Sequence, residues 1–156
     1  MKLTHLNENG QIQMVDVGQK GITERTARAE GKILISKEAL ELIKQGALKK
    51  GDALITAKVA GIMAAKKTAE IIPLCHNINL NYVDIDFNFF EGGITARSEV
   101  RCKGVTGAEM EAIHAVSAAL LTIYDMAKAA DKKMTITDIK LVEKTGGKSG
   151  DFKREV

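Results

Sequence analysis

The feature that most restricts the fold is a strict alternation in the middle of the chain. Val83, Ile85, Phe87 and Phe89 are separated by Asp84, Asp86 and Asn88, the period of a strand with one dry face. Gly92 and Gly93 follow. Beyond them Ile94, Ala96, Val100 and Cys102 share one parity, while Thr95, Arg97, Glu99 and Arg101 take the other. Two such strands joined at glycines make a hairpin, and its apolar face must be covered by other parts of the chain.

Helical patterns on both sides of the hairpin supply that cover. A strand is predicted over 26–35, ending in Ile33, Leu34 and Ile35. Ser36 is placed to N-cap a helix over 37–45, with Gly46 at its stop. Asp52 caps a longer helix on which Leu54, Ile55, Val59, Ile62 and Met63 recur at helical spacing. Pro73, the only proline, marks where helix can no longer continue. Thr106 and Glu109 have the spacing of a capping box. It would open a helix striped by Met110, Ile113, Val116, Leu120, Tyr124 and Ala127. A last strand carries Met134, Ile136, Ile139 and Leu141, with a parity slip at Asp138 that predicts a bulge.

The order is strand, helix in two pieces, strand, strand, helix, strand. It predicts a ferredoxin-like α+β sandwich, an antiparallel sheet with helices packed on one face. The polar face is left for solvent or another subunit. No repeat or linker divides the chain, so one domain is expected over 1–156, its body starting near Met14. The first dozen residues, with Asn7, Asn9 and Gly10, read as a loose arm or edge hairpin.

Composition excludes several functions. A formal net charge of +3 gives only mild attraction to anions, so nucleic-acid coating is not expected. Four Phe, two Tyr and no Trp leave few platforms for stacking bases. Cys75 and Cys102 are too few for a disulfide framework, and paired metal-ligand spacing is absent. With no basic leader and no long apolar run, neither secretion nor a membrane is indicated, and a reducing cytoplasm is expected.

Four clusters carry possible chemistry. Cys75 and His76 adjoin Pro73 and Leu74; they would suit a metal or an activated thiol, or simply sit in a half-buried loop. Glu109, Met110 and Glu111 open the long helix, where acids are favoured in any case. Asp125 and Lys128 lie three apart near its far end. They are either an ordinary surface pair or, within their apolar neighbourhood, an acid–base pair with shifted ionisation. The glycine- and lysine-rich tail from Lys144 to Asp151 fails the P-loop spacing, since Val142 stands where the leading glycine belongs. It retains the means to wrap an anion, as does the pair Lys49 and Lys50 before the Asp52 cap, with Lys20 and Arg25 adding charge.

Helix geometry constrains how these clusters combine. Glu111 and Asp125 point within about 40° of one another, but stand roughly 21 Å apart along the axis. One small molecule cannot touch both on a single chain. Either only one belongs to the site, or two copies build it across a symmetric boundary.

Segments 3–7, 14–17, 73–76, 106–111, 121–128 and 146–153 together resemble the cyclic pyranopterin monophosphate synthase family of molybdenum cofactor biosynthesis. The match runs in order from residue 3 to residue 153 without gaps. The resemblance implies a lyase that turns a cyclised dihydro-GTP, a nucleotide-derived triphosphate, into cyclic pyranopterin monophosphate and pyrophosphate. It also implies a ferredoxin-like fold and a homohexamer, a trimer of dimers with its sites at the dimer interface. By position, Asp125 and Lys128 match the catalytic acid–base pair and Lys50 a second catalytic lysine. Leu74, Cys75, His76, Met110 and Glu111 match substrate-binding positions, with Arg25, Glu109 and Lys144 in the same pocket. No cofactor or metal is implied. Asn77 stands where many members have proline, and Ala127 where some have cysteine.

Two rival readings of the residues stay open at this point. One is a non-catalytic nucleotide sensor built on the same sheet. The other is a Cys75–His76 metalloprotein.

Overall fold

The computed structural model describes residues 4–155. The start of segment 3–7 and the outermost ends of the expected domain lie outside that range. The elements are β1 (Thr23–Leu34), α1 (Lys37–Lys44), α2 (Ala53–Lys66), α3 (Thr68–Ile71), β2 (Leu80–Phe90), β3 (Gly93–Gly104), α4 (Glu109–Ala127), β4 (Thr135–Thr145) and β5 (Phe152–Lys153). The sheet runs β2-β3-β1-β4-β5, antiparallel at every pairing. Its first four strands have the ferredoxin-like order, and β5 adds a short edge made by the tail.

The hairpin forms as its alternation requires. Phe90 pairs with Gly93 across Glu91 and Gly92, and Gly92 adopts φ +90°. A Cβ on Gly93 would collide with the Ile33 carbonyl and the Phe90 ring, so this turn admits only glycine. Ser98 shares the buried parity of Ile94, Ala96 and Val100. Its hydroxyl donates to the Ala112 carbonyl of α4 at 2.7 Å, which ties helix to sheet without leaving a polar atom unpaired. Ile33, Ile85, Ile94, Leu120 and Ile123 are fully buried between the layers, each contributing about 1.5–3 kcal/mol.

Both expected N-caps are present. Ser36 Oγ accepts from the Ala39 N–H at 3.3 Å, and Asp52 Oδ1 accepts from the Leu54 and Ile55 N–H groups at 3.0 and 2.9 Å. The bulge is present too: Asp138 takes φ +56°, and the β1–β4 register shifts beside it.

Three local expectations need correction. The buried face of α2 is Ala53, Ala57, Gly61 and Ala65 rather than the large apolar set. Ile55 and Met63 are 65% and 51% exposed, and Val59 is exposed as well. The cause is close approach: a Cβ on Gly61 would stand 2.8 Å from the Ala115 carbonyl of α4 and collide with Ile85. Only small side chains fit between helices that near. The core stripe of α4 holds at Val116, Leu120 and Ala127 but is wider than expected, since Ala112, Ala115, Ala119 and Ile123 are buried beside them, and Met110 at its start is exposed. Finally, the capping box does not form. The helix begins at Glu109 behind Ala108, with no side-chain cap, and Glu109 is engaged elsewhere. Pro73 does end the helical run, which reaches it in two pieces, α2 to Lys66 and the separate turn α3 to Ile71.

Candidate active site

At one end of the sheet the buried parity of β1 continues past Ala29 and Ala27 to Arg25, opposite Cys102 on β3. On the other side β4 brings Lys144 opposite Ala27. The register that buries alanines in the core thus aims two cations at the first turn of α4. Lys144 Nζ donates to Glu109 Oε1 at 2.8 Å, and Arg25 Nε donates to the Gly104 carbonyl at 3.1 Å.

The tail closes over them. Gly146 and Gly147 both take φ +88°, and the Gly146 N–H donates to Asp151 Oδ1 at 3.0 Å. A Cβ on Gly147 would collide with the Arg25 guanidinium, and one on Gly146 with the Glu24 carbonyl. The loop can therefore lie on Arg25 only because both positions are glycine. Together these parts frame a cavity of about 280 Å³ whose charged lining is Lys20, Arg25, Lys144 and Lys148 against one carboxylate, Glu109. Such a surplus of fixed donors suits a polyanion.

A second cavity of about 600 Å³ adjoins the first, sharing Lys20, Thr106, Gly107 and Glu109. Leu74, Cys75, His76, Met110 and Glu111 line it, so the structure gathers all eight expected binding residues around the two spaces. His5, Val15 and Val17 line it too. The arm read as loose is therefore a wall. It begins with the expected hairpin, bridged from Leu6 to Ile12 and closed by Asn7. His76 Nε2 donates to the Val15 carbonyl at 2.6 Å, since a carbonyl can only accept, and this fastens the arm to the loop.

Ionisation differs sharply within this cavity. Glu111 is only 4% exposed. Burial pushes its carboxyl above the ordinary range, and the charge of Glu109 adds to the effect. For Glu109 burial acts upward as well, but the hydrogen bond from Lys144 and the nearby cations outweigh it, and its carboxyl lies below the ordinary range. One acid is tuned towards the neutral form and its near neighbour towards the charged form. Burial and then Glu111 push the Cys75 thiol up, so it is held as a thiol rather than an activated thiolate. Among the described residues no three His, Cys, Asp or Glu side chains converge as a metal-binding group.

The three expected catalytic residues lie elsewhere. Asp125 Oδ1 accepts from Lys128 Nζ and Oδ2 from Lys50 Nζ, each at 2.7 Å, and Lys50 also reaches the Asp125 carbonyl at 3.2 Å. Gly51 at φ +97° turns the chain from Lys50 into the α2 cap. Of the two readings of the Asp125–Lys128 pair, the dry one is not met on one chain: both side chains are 53% exposed. Leu121 on the same helix faces out as well. Hydrogen bonds from Lys128 and then Lys50 hold the Asp125 carboxyl down at about 2, while Asp125 pushes Lys128 up. Lys128 is thus an ammonium at neutral pH.

A direct consequence can be measured. Since the Asp125 carboxyl is depressed, its contribution to stability is complete above the unfolded value near 4. It is lost as pH falls through about 2. A carbon-13 titration of this carboxyl is expected to show a midpoint near 2, moving up in Lys128→Met. A midpoint in the ordinary range in the unsubstituted protein would contradict the bridged geometry.

Neither cavity is lined by Lys50, Asp125 or Lys128. Because α4 is one unbroken helix from Glu109 to Ala127, its two ends hold the two groups apart by about 21 Å from Glu111 to Asp125. Lys50 and Lys128, by contrast, share one carboxylate of their own chain.

The residues that sequence reasoning passed over are Val15, Val17 and His5. Their signal was the motif content of segments 3–7 and 14–17, not composition. Lys20 was noted only as added charge, yet it stands at the border of both cavities.

Comparison with known proteins agrees with the resemblance. The MoaC family model matches residues 14–147. A cyclic pyranopterin monophosphate synthase of Peptoclostridium acidaminophilum is 54% identical over 155 residues, covering 99% of each chain. One of Clostridium acetobutylicum is 56% identical over 153 residues, covering 97% of this chain and 95% of its own. One of Heliobacterium modesticaldum is 52% identical over 155 residues, covering 98% of each.

Proposed function

The chain belongs to the MoaC family, and from that premise we propose that it is a lyase of molybdenum cofactor biosynthesis, converting a cyclised dihydro-GTP into cyclic pyranopterin monophosphate and pyrophosphate. The observation that carries this reading is the pair of adjoining cavities. One has four cations and a glycine loop; the other is half-buried, with an acid tuned towards neutrality. A triphosphate fits the chemistry of the first, and a purine-derived ring that of the second.

In the reaction a hydroxyl of the substrate attacks the α-phosphate and gives up its proton to solvent, the α–β phosphoanhydride bond breaks, and pyrophosphate leaves with the electron pair. Arg25 and Lys144 stabilise the charge that develops. Ring rearrangement needs proton transfers. Lys128, an ammonium beside Asp125, enters as the acid, and Asp125 holds it in position. Lys50 shares that carboxylate and acts as the second lysine.

The 21 Å gap requires that the lysine–aspartate trio of one subunit serve the cavities of another. The outward apolar face of α2, with Ile55, Val59 and Met63, supports a homo-oligomer, and we assign it to the contacts of a hexamer that is a trimer of dimers. One domain forms each subunit. No helix among the described residues is long and apolar enough to cross a membrane, and a nucleotide substrate of this kind places the enzyme in the cytoplasm. No partner beyond substrate and further copies is required, and no nucleic acid.

Incubation with the cyclised nucleotide tests the assignment. Equimolar pyrophosphate and cyclic monophosphate are expected. Tight binding without turnover would identify a sensor instead, and neither binding nor turnover would overturn the reading altogether.

A further inference from the structure

The reaction as described uses neither Thr68 nor His114, yet they meet between α3 and α4. Thr68 is 1% exposed, one of three buried polar or charged residues among those described. Its hydroxyl lies 3.1 and 3.2 Å from the carbonyls of Ala64 and Ala65, and 3.0 Å from His114 Nδ1. A threonine after a helix is already satisfied by such carbonyls, so burial alone does not call for the histidine. With the hydroxyl proton on a carbonyl, the ring supplies Nδ1–H as the donor.

What the tie holds is visible in the chain that follows. The Ile72 N–H donates to the Thr68 carbonyl at 2.9 Å, and the Cys75 N–H donates to the Ile72 carbonyl at 3.1 Å. Two successive backbone bonds that meet at Ile72, the second spanning Pro73, thus connect Thr68 to the loop of Leu74, Cys75 and His76. That loop lines the larger cavity, and so do Met110 and Glu111 of α4. His114 stands one turn beyond Glu111 on the same helix. Its bond to Thr68 is the one side-chain hydrogen bond between α3 and α4 among the described residues.

We infer that His114 is a positioning residue, which through Thr68 sets the spacing between the loop wall and the helix wall of the substrate cavity. The effect on substrate rests on the proposed reaction; the effect on the loop does not. Cys75 reports the loop directly, because its thiol is part-buried there, whereas Cys102 is buried in the sheet.

The test compares Thr68→Val, His114→Ala and His114→Asn with the unsubstituted protein. Asparagine can place an amide N–H where Nδ1–H lies. Alkylation of Cys75 by iodoacetamide, followed by peptide mass against Cys102 as internal control, is expected to accelerate by about tenfold in Thr68→Val and His114→Ala. Cys102 should not change. KM for the cyclised nucleotide should rise about tenfold, with kcat within about twofold, and His114→Asn should restore both readouts. An unchanged Cys75 rate in Thr68→Val, or equal acceleration of both cysteines, would overturn the inference. So would a faster Cys75 with KM unmoved, or an asparagine variant that behaves like alanine. Should His114→Ala fail to fold, Thr68→Val, which keeps the buried shape, carries the test. If the unsubstituted protein does not turn over the nucleotide, the proposed reaction fails while the cysteine readout still decides the tie.

Discussion

Lys128→Met is expected to lower kcat by about a thousandfold, with KM changed far less. Methionine keeps most of the length and the apolar stem while removing the transferable proton. Lys128 is the first residue after α4, three positions from the Asp125 carboxylate that it bonds at 2.7 Å. Its side chain is half exposed, so the fold has little stake in it and loss of activity reports chemistry. Lys128→Arg sharpens the reading. The guanidinium re-forms the ion pair with Asp125 but does not give up a proton near neutrality. It is expected to remain as impaired as methionine. Near-normal turnover of the methionine variant would remove Lys128 from the mechanism, and recovery in the arginine variant would make its role purely electrostatic.

Arg25→Ala is expected to cost about a hundredfold in kcat/KM, through KM because a charged donor to a polyanion is lost and through kcat because the charge developing on pyrophosphate is less stabilised. Arg25 is held from two sides, by its own Nε–H on the Gly104 carbonyl and by Gly147 lying against the guanidinium. Lysine offers neither the planar face nor the second donor direction, so Arg25→Lys should rescue little. Gly147→Ala tests the same seat without touching a charge. Its methyl would displace the guanidinium and strain a backbone at φ +88°, and a rise in KM of about tenfold is expected. Steady-state kinetics on these three variants check the argument; unaltered KM in Arg25→Ala would contradict it.

How much of this could be read from the chain depended on the size of the side chains that carry each signal. The hairpin was legible because Val83, Ile85 and Phe87 alternate with acids, and large apolar groups two apart admit only one reading. The caps at Ser36 and Asp52 were legible because a short oxygen-bearing side chain before a helix has one good use. The buried face of α2 was not. Alanine and glycine contribute little hydrophobic signal, and Ile55, Val59 and Met63 drew the reading to the outer face. Their exposure is physical, not accidental, since Gly61 and Ala115 bring two helices too close for larger groups.

The site divides in the same way. Arg25 and Lys144 lie at inward-facing register positions, so their convergence was implicit in the strand parity that buries Ala27 and Ala29. Glu109 looked like a capping residue because its spacing from Thr106 is right, yet an ion pair with Lys144 offers it a stronger partner. The sequence leaves Asp125 and Lys128 open between a surface pair and a dry acid–base pair, because apolar neighbours in sequence do not fix burial. Leu121 faces outward, and the pair stands at an exposed helix end, where only the fold shows that Lys50 bonds to the same carboxylate.

The central claim is that one site takes its cationic cavity from one subunit and its Lys50–Asp125–Lys128 trio from another. It is tested by mixing Arg25→Ala and Lys128→Ala, assayed at a substrate concentration well below KM, where each alone keeps about 1% of activity or less, under conditions where subunit exchange is confirmed. Each mixed dimer would contain one doubly impaired site and one intact site, so about a quarter of normal activity should return on random mixing. A mixture of Lys50→Ala with Lys128→Ala serves as the control and should stay inactive, because both lysines bind the same carboxylate on the same chain. No recovery from the Arg25→Ala and Lys128→Ala mixture, with exchange demonstrated, would contradict the shared site.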